Sequence, residues 1–431
     1  MEKSLFSQYV DKWFGPTVRK IVEKVNGTEN PLTYLHKRML KRVFSPTLKW
    51  GSLSVKGRMI ATDIVAVNTP VPLKKRDSIA TAEGDIPKMG MKLYLDEKTF
   101  NDLDILKAQN TDGSRLKQIL QALFADVKKC IVGPDEQIEG LFLQALSSGL
   151  MLIEDDKNTG AGFRIDFNHP DANKFGVTAK WSADTAQPLD DIENVIHKAK
   201  AKGHIIRYVK MGRDSFNAFR KHAQVRELFA AGLGFAGQNI PVPNLKQVNE
   251  ILQDNYGLTI EIIDRVVNYE KNGATVAVDP WAKNAVVFLT SEQVGSLHWG
   301  RLAEMNHPVK SVDYAIADDF KLISKYSKND PLQEFTSVQA MVVPVIDEID
   351  AVYIMNCEEA TAAEDTQTEG DANYTYEGTD YTKQSVVDGL NATEEVPEAT
   401  IAQKDATLAK KIDSLSKEGV ATFEAKLVAA V

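Results

Sequence analysis

A chain of 431 residues with 43% apolar and 26% charged residues can build a core of two or three domains, and it lacks the bias of a disordered or fibrous sequence. Two cysteines, Cys130 and Cys357, exclude a disulfide framework and, alone, a zinc site. No run of about 20 apolar residues offers a membrane span, and the first residues lack the apolar stretch of a secretory signal. The net charge of −9 is uneven: residues 1–50 hold 10 basic and 4 acidic groups, whereas residues 358–431 hold 16 acidic and 6 basic. A basic arm and an acidic extension therefore flank a nearly neutral body.

The arm reads as short helices interrupted at Gly15-Pro16, Asn30-Pro31 and Ser45-Pro46, with Leu32, Leu35, Met39 and Val43 at helical steps. From Trp50 the period shortens. Leu53 and Val55 alternate, and Met59–Val67 is rich in branched residues. An irregular stretch, NTPVPLKKRDSIATAEGDIPKMG, follows before Met91, Leu93 and Leu95 alternate again. Two strands with so long a connection predict a hairpin with an exposed tip.

Thr111 to Gly149 predicts two helices in line. Leu116, Ile119, Leu120, Leu123, Val127 and Ile131 form one apolar face, and Ile138, Leu141, Phe142 and Ala145 continue it after Gly133-Pro134. Proline suits a first helical turn, Asp135 and Glu136 complement its positive end, and Gly149 is the stop. Leu150–Ile153 and Phe163–Phe167 read as a small hairpin. Residues 185–300 then read as a compact α/β unit. Pro188, Asp190 and Asp191 open its first helix, and Gly203 ends it. A strand at His204–Val209, helices at Arg213–His222 and Asn244–Asn255, and several short strands follow. Asp319–Tyr326 and two strands within Asp330–Asn356 return the chain to a platform into which the α/β unit is inserted. From Glu358 to Asp380 there are eight acidic and no basic residues, a linker by composition. Ile401, Leu408, Ile412 and Leu415, then Phe423 and Leu427, predict a small helical hairpin.

No arrangement of residues suggests catalysis. GLGFAGQ sets Gly232, Gly234 and Gly237 in a dinucleotide-type spacing, but a helical segment precedes it where a strand is required. The seven histidines lack metal-binding spacing. Asp190-Asp191 and Asp318-Asp319 are sequence neighbours whose side chains diverge, which suits helix starts and turns better than acid–base chemistry.

Three stretches and their order carry a resemblance. NPLTYLHKRMLKRVF from Asn30, WSADTAQPLDDIENV from Trp181 and DPLQEFTSVQAMVVPVIDEIDAVYIM from Asp330 resemble the arm, the Trp-containing strand with its helix start, and the final strands of tailed-bacteriophage major capsid proteins of the lambda-type major head protein family. The likeness spans about residues 25–357. It implies an α+β, Hong Kong 97-like fold: an N-terminal arm over 1–50, an extended hairpin loop over 51–108, a peripheral domain over 109–180 and 310–357 with the spine helix, an axial domain over 181–309, and an acidic linker with helical extension over 358–431. The implied function is self-assembly into the pentamers and hexamers of an icosahedral head shell around double-stranded DNA, with no enzymatic activity, cofactor or metal. The implied partners are other copies of itself, a portal protein, a scaffold and a decoration protein, with non-specific contact to packaged DNA and no membrane. Its implied place is the virion shell, assembled in the bacterial host cytoplasm. Lys74, Lys75, Arg76 and Lys88 become candidate inter-subunit residues of the exposed hairpin, and Gly133 and Pro134 become candidate hinges. The acidic extension has no counterpart in the family pattern. It is expected outside the shell, where packaged DNA does not repel it, with the basic arm nearer the interior. Alternatives left open by the residues are another self-assembling virion protein, of tail or scaffold type, and a nucleotide-binding enzyme.

Overall fold

The apolar stripe from Ile119 to Leu146 lies on one helix, not two. Gly113–Ser148 runs 36 residues, about 54 Å at 1.5 Å per residue, with Pro134 inside it. Gly149 stops it in the left-handed region, φ +76°, as expected of a glycine at that position. This computed structural model describes residues 1–27, 34–56, 78–108, 113–153, 162–233, 240–271, 273–360, 373–376, 379–393, 396 and 405–427. They fall into two compact units, Met1–Thr361 and Ala362–Val431.

The two halves of the spine serve different cores. Ile119, Leu123, Val127 and Ile131 pack with Phe100 and Leu103 and with a helix at Ser7–Asn26. Ile138, Leu141, Phe142 and Ala145 enter a second core with Val287 and Val343, which lie on two different sheets. The Ser7–Asn26 helix continues through Pro16, where a break was expected. Proline costs one helical hydrogen bond. Against that, Phe6, Val10, Phe14 and Val18 are buried at four-residue steps, each worth about 1.5–3 kcal/mol. The helical stripe expected through Val43 also ends early. Leu35–Met39 is one helical turn, and Leu40–Phe44 is a strand.

The platform sheet has the order 40–44, 295–300, 333–346, 321–328, 313–317, and strand Lys88–Leu95 also pairs with Gln333–Ile346. That 14-residue strand organises it. Its first part meets Lys321–Lys328 and Lys88–Leu95, both antiparallel, and its last part meets Gly295–Gly300. The arm strand joins in parallel, Leu40 opposite Gly295. Met91, Leu93 and Leu95 thus belong to the platform, not to the hairpin. The hairpin pairs Lys49–Lys56 with Ser78–Asp85 instead. SIATAEGD has too little apolar alternation for periodicity to mark it as a strand. The Met59–Val67 stretch and the expected hairpin tip lie outside the described residues.

The inserted unit has its own sheet, in the order 174–177, 352–360, 285–289, 208–212, 259–263. All five residues of the central strand Ala285–Leu289 are buried. Pro188–Ala201 covers it with Leu189, Ile192, Val195 and Ala199, and Leu245–Tyr256 starts with a capping box of Asn244 and Gln247. The strand expected at His204–Val209 begins later, at Tyr208. Val352–Ala360 closes this sheet, so the last long strand joins the inserted unit where a return to the platform was expected.

The second unit holds more than a helical hairpin. Strands Asn373–Tyr376 and Thr379–Thr382 pair within the stretch whose composition suggested a linker. Helices Lys383–Thr393, Asp405–Asp413 and Lys417–Glu424 follow. Tyr374, Val386, Leu390, Leu408, Ile412 and Phe423 make a separate core. The fold class is α+β.

Candidate hinge and subunit-contact residues

Pro134 has no amide hydrogen, so the Cys130 carbonyl one turn earlier loses its helical donor and is crowded by the ring. Gly133 precedes it. A Cβ there would lie 2.6 Å from the Met91 Sδ, so glycine leaves room for the Met91 side chain against the spine. A side chain reinforces the helix at this point. Lys321 is fully buried. Its Nζ donates to the Ile131 carbonyl (3.2 Å), to Asp135 Oδ1 (2.7 Å) and to Asp318 Oδ2 (2.8 Å).

Asp135 and Glu136 were expected to serve a helix start. The helix does not start there, and both serve as ion-pair partners. Asp135 is 1% exposed and also accepts from Lys37 Nζ at 3.0 Å. Glu136 accepts from the Tyr34 hydroxyl at 2.8 Å and from Arg265 at 2.5 Å. One turn on, Glu139 accepts from the backbone amides of Leu35 (2.9 Å) and His36 (3.0 Å), and its Oε2 lies 2.7 Å from His36 Nδ1. Four segments remote in sequence thus meet at the proline. A desolvated carboxylate is tolerable only with such partners.

Asp318 shows the electrostatics most clearly. It lies in the turn between strands Asp313–Ala317 and Lys321–Lys328, with φ positive at Asp318 and Asp319, a conformation aspartate accepts. Burial alone would raise its pKa. The charge and hydrogen bond of Lys321, with the Asn26 amide at 2.7 Å and the charge of Lys37, bring it down to about 2. A carboxyl depressed in the folded state stabilises the fold above its ordinary value, near 3.8, and loses that contribution as pH falls through about 2. Asp318→Asn should therefore cost about 2 kcal/mol at pH 7. The gap between the two proteins should close in acid, as read from urea midpoints at pH 7, 4 and 2. A gap that persists at pH 2 would contradict the assignment.

A second buried pair pins the start of the chain. Glu334 accepts from Ser4 Oγ and from the Leu5 amide, and Lys325 Nζ lies 3.9 Å away. Burial pushes Glu334 up and Lys325 down, so desolvation outweighs pairing for both.

Of the expected inter-subunit residues, Lys74, Lys75 and Arg76 lie outside the described residues. Lys88 is exposed, but it begins a platform strand opposite Met341 and is not on the hairpin. Asp190 and Asp191 stand in the first turn of a helix, as expected. Asp191 accepts from the Trp181 indole (2.9 Å) and the Thr178 amide (3.1 Å), with Trp181 in a turn where a strand was expected. Gly232 falls in the helix Ala223–Leu233, while Gly234 and Gly237 lie outside the described residues. Among the described residues no group of histidine, cysteine, aspartate and glutamate is shaped for a metal ion, and no helix is long and apolar enough to cross a membrane. Sequence reasoning missed Tyr34, His36, Glu139, Arg265, Asp318 and Lys321 as one cluster. The available signal was a lysine between Phe320 and Leu322, three residues after an aspartate.

The chain belongs to the phage major capsid protein E family, whose profile matches residues 17–356. No curated protein matches it. Among solved structures it is similar to a prophage capsid protein of E. coli CFT073, with 12% identity, 79% of this chain and 98% of that chain covered, and a TM-score of 0.49. It is also similar to a phage-related protein of Bordetella bronchiseptica RB50, at 10%, 81%, 98% and 0.45. A third is the virus-like particle of Pyrococcus furiosus, at 10%, 79%, 96% and 0.36. Family membership makes the chain a phage head-shell protein, with a structural role in the virion capsid. Its arm, hairpin, spine helix and inserted unit follow one another in the order that the sequence resemblance implied.

Proposed function

We propose that copies of this chain close into pentamers and hexamers, and that these tile an icosahedral shell around double-stranded DNA. The observation that carries the reading is the ribbon Lys49–Asp85. Its two strands pair with each other and with no third strand among the described residues. Its base packs on its own subunit through the buried Trp50. Beyond that base a two-stranded ribbon is marginal in water unless it packs on something, and a neighbouring copy supplies that surface. Of the expected loop 51–108, the ribbon part would then overlap the neighbour, with the platform, which takes Lys88–Leu95, as the peripheral domain. The inserted unit, extended by strand Val352–Ala360, would be the axial domain.

Each contact in such a ring joins two different surfaces, and the rotation decides whether five or six copies close it. Contacts of standard size, about 1,600 Å² each, are individually reversible. Several per subunit make the shell effectively permanent through local concentration. Gly133 and Pro134 act as the hinge between two rigid packings. Lys74, Lys75, Arg76 and Lys88 face neighbouring copies. A portal protein, a scaffold and a decoration protein complete the particle, which is built in the host cytoplasm. The chain performs no catalysis. The basic arm lies towards the DNA and the acidic second unit towards the outside.

Electron microscopy of the purified chain, before and after protease treatment of intact particles, tests this. Closed shells are expected, with cleavage after residue 360 while the wall stays whole. Filaments, open rings or a monomer would refute the shell. An extension cut only after disruption would place it inside.

A further inference from the structure

Five consecutive arm residues, Tyr34 to Arg38, reach two different parts of the subunit. Tyr34, His36 and Lys37 bind the spine helix through Glu136, Glu139 and Asp135. Arg38 turns the other way. Its Nη2 lies 2.5 Å from Glu261 and its Nε 2.7 Å from Glu292. Glu261 lies on the inserted-unit strand Thr259–Ile263, and Glu292 follows Ala285–Leu289. Arg265, just past the first of these strands, returns to Glu136 and places its guanidinium 4.7 Å from the Tyr34 ring centre. The arm and the inserted unit thus close a loop of charge pairs on the spine beside Pro134.

We infer that Tyr34–Arg38 is a clasp that fixes the angle between the inserted unit and the spine, and so sets the curvature each copy brings to the shell. The curvature clause rests on the shell reading above. The two ends of the clasp are unequal. His36, Asp135 and Glu139 are about 1% exposed, so parting them strands charge in a dry site. Arg38 and Glu292 are 46% and 44% exposed, so water replaces their contact at little cost. The clasp therefore opens from the Arg38 end, leaving the spine contacts in place as a pivot. A planar guanidinium can bridge two carboxylates on separate segments, which a lysine ammonium does less well.

The test compares full-length Arg38→Met and Arg38→Lys with the unaltered chain, with Glu292→Gln as an independent opening of the same end. Arg38 and Glu292 are half exposed, and methionine matches arginine in helix propensity, so melting should shift by no more than a few degrees. Hydrogen exchange in the isolated subunit should rise several-fold over residues 259–265 in Arg38→Met and Glu292→Gln, less in Arg38→Lys, and stay unchanged over residues 133–139, where the pivot holds. Shells of the first two should show a broader spread of diameters. Unchanged exchange and a single diameter in both would overturn the clasp. Failure of the unaltered chain to form shells would count against the shell reading instead, and exchange in the subunit would still judge the clasp.

Discussion

Shells should fail to close when residues 57–77 are replaced by a two-residue Asn-Gly turn, although the subunit itself still folds. Lys56 and Ser78 are the last paired residues of the ribbon, so a two-residue turn suits the distance between them. Melting should move by a few degrees at most, because the described residues of the two spine cores and of the inserted-unit core all remain in the variant. Assembly should be lost, because on the proposed reading the ribbon is the part that covers a neighbouring copy. Sedimentation and electron microscopy of the purified variant read this directly. Shells of ordinary diameter would show that residues 57–77 are not needed for contact between copies, and the ribbon would lose its assigned role.

Replacing Lys321 with methionine should destabilise the isolated subunit by about 3–5 kcal/mol, the range for removing one member of a buried ion pair. The methionine fits the space but donates nothing. Asp318 would keep the Asn26 amide and Asp135 would keep Lys37, yet each would lose its shortest fully buried charge partner. The Ile131 carbonyl would lose its ammonium donor next to the helical bond that Pro134 already lacks. Lys3→Met is the control. Its pair with Asp11 is 56% and 51% exposed, and water replaces such a contact at little cost. Urea midpoints of the two variants should differ severalfold in their shift. Equal small shifts would mean that packing alone holds the spine at the proline.

The long-range order of the fold was legible because apolar period is written locally. The spine stripe, its stop at Gly149 and the helix start at Pro188 could all be read from neighbouring residues. What periodicity does not encode is partnership. Met91, Leu93 and Leu95 announce a half-buried strand but not which strand covers them, so they were assigned to the wrong hairpin. Pro16 and Pro134 were read as breaks because proline removes a local bond. Both helices continue because tertiary contacts compensate: four buried apolar side chains for the first and a lysine from a distant strand for the second. The ion cluster shows the same limit more sharply. Its members stand at 34–37, 135–139, 265 and 318–321, and nothing in any one stretch announces the others.

The pairing of Val352–Ala360 with Ala285–Leu289, and of Gln333–Ile346 with strands at 88–95 and 295–300, has a consequence for synthesis. Both sheets wait for nearly the same late stretch of chain. While a ribosome is still making residue 330, the platform lacks its longest strand, the inserted unit has paired only 285–289, 208–212 and 259–263, and the arm strand at 40–44 has no complete sheet to join. Contacts so distant in sequence form slowly. A nascent chain of this kind exposes unpaired strand edges until its last long strands emerge, and such edges invite aggregation. A copy interrupted before that point lacks the strands that complete both sheets, so truncated products should be left out of a growing shell.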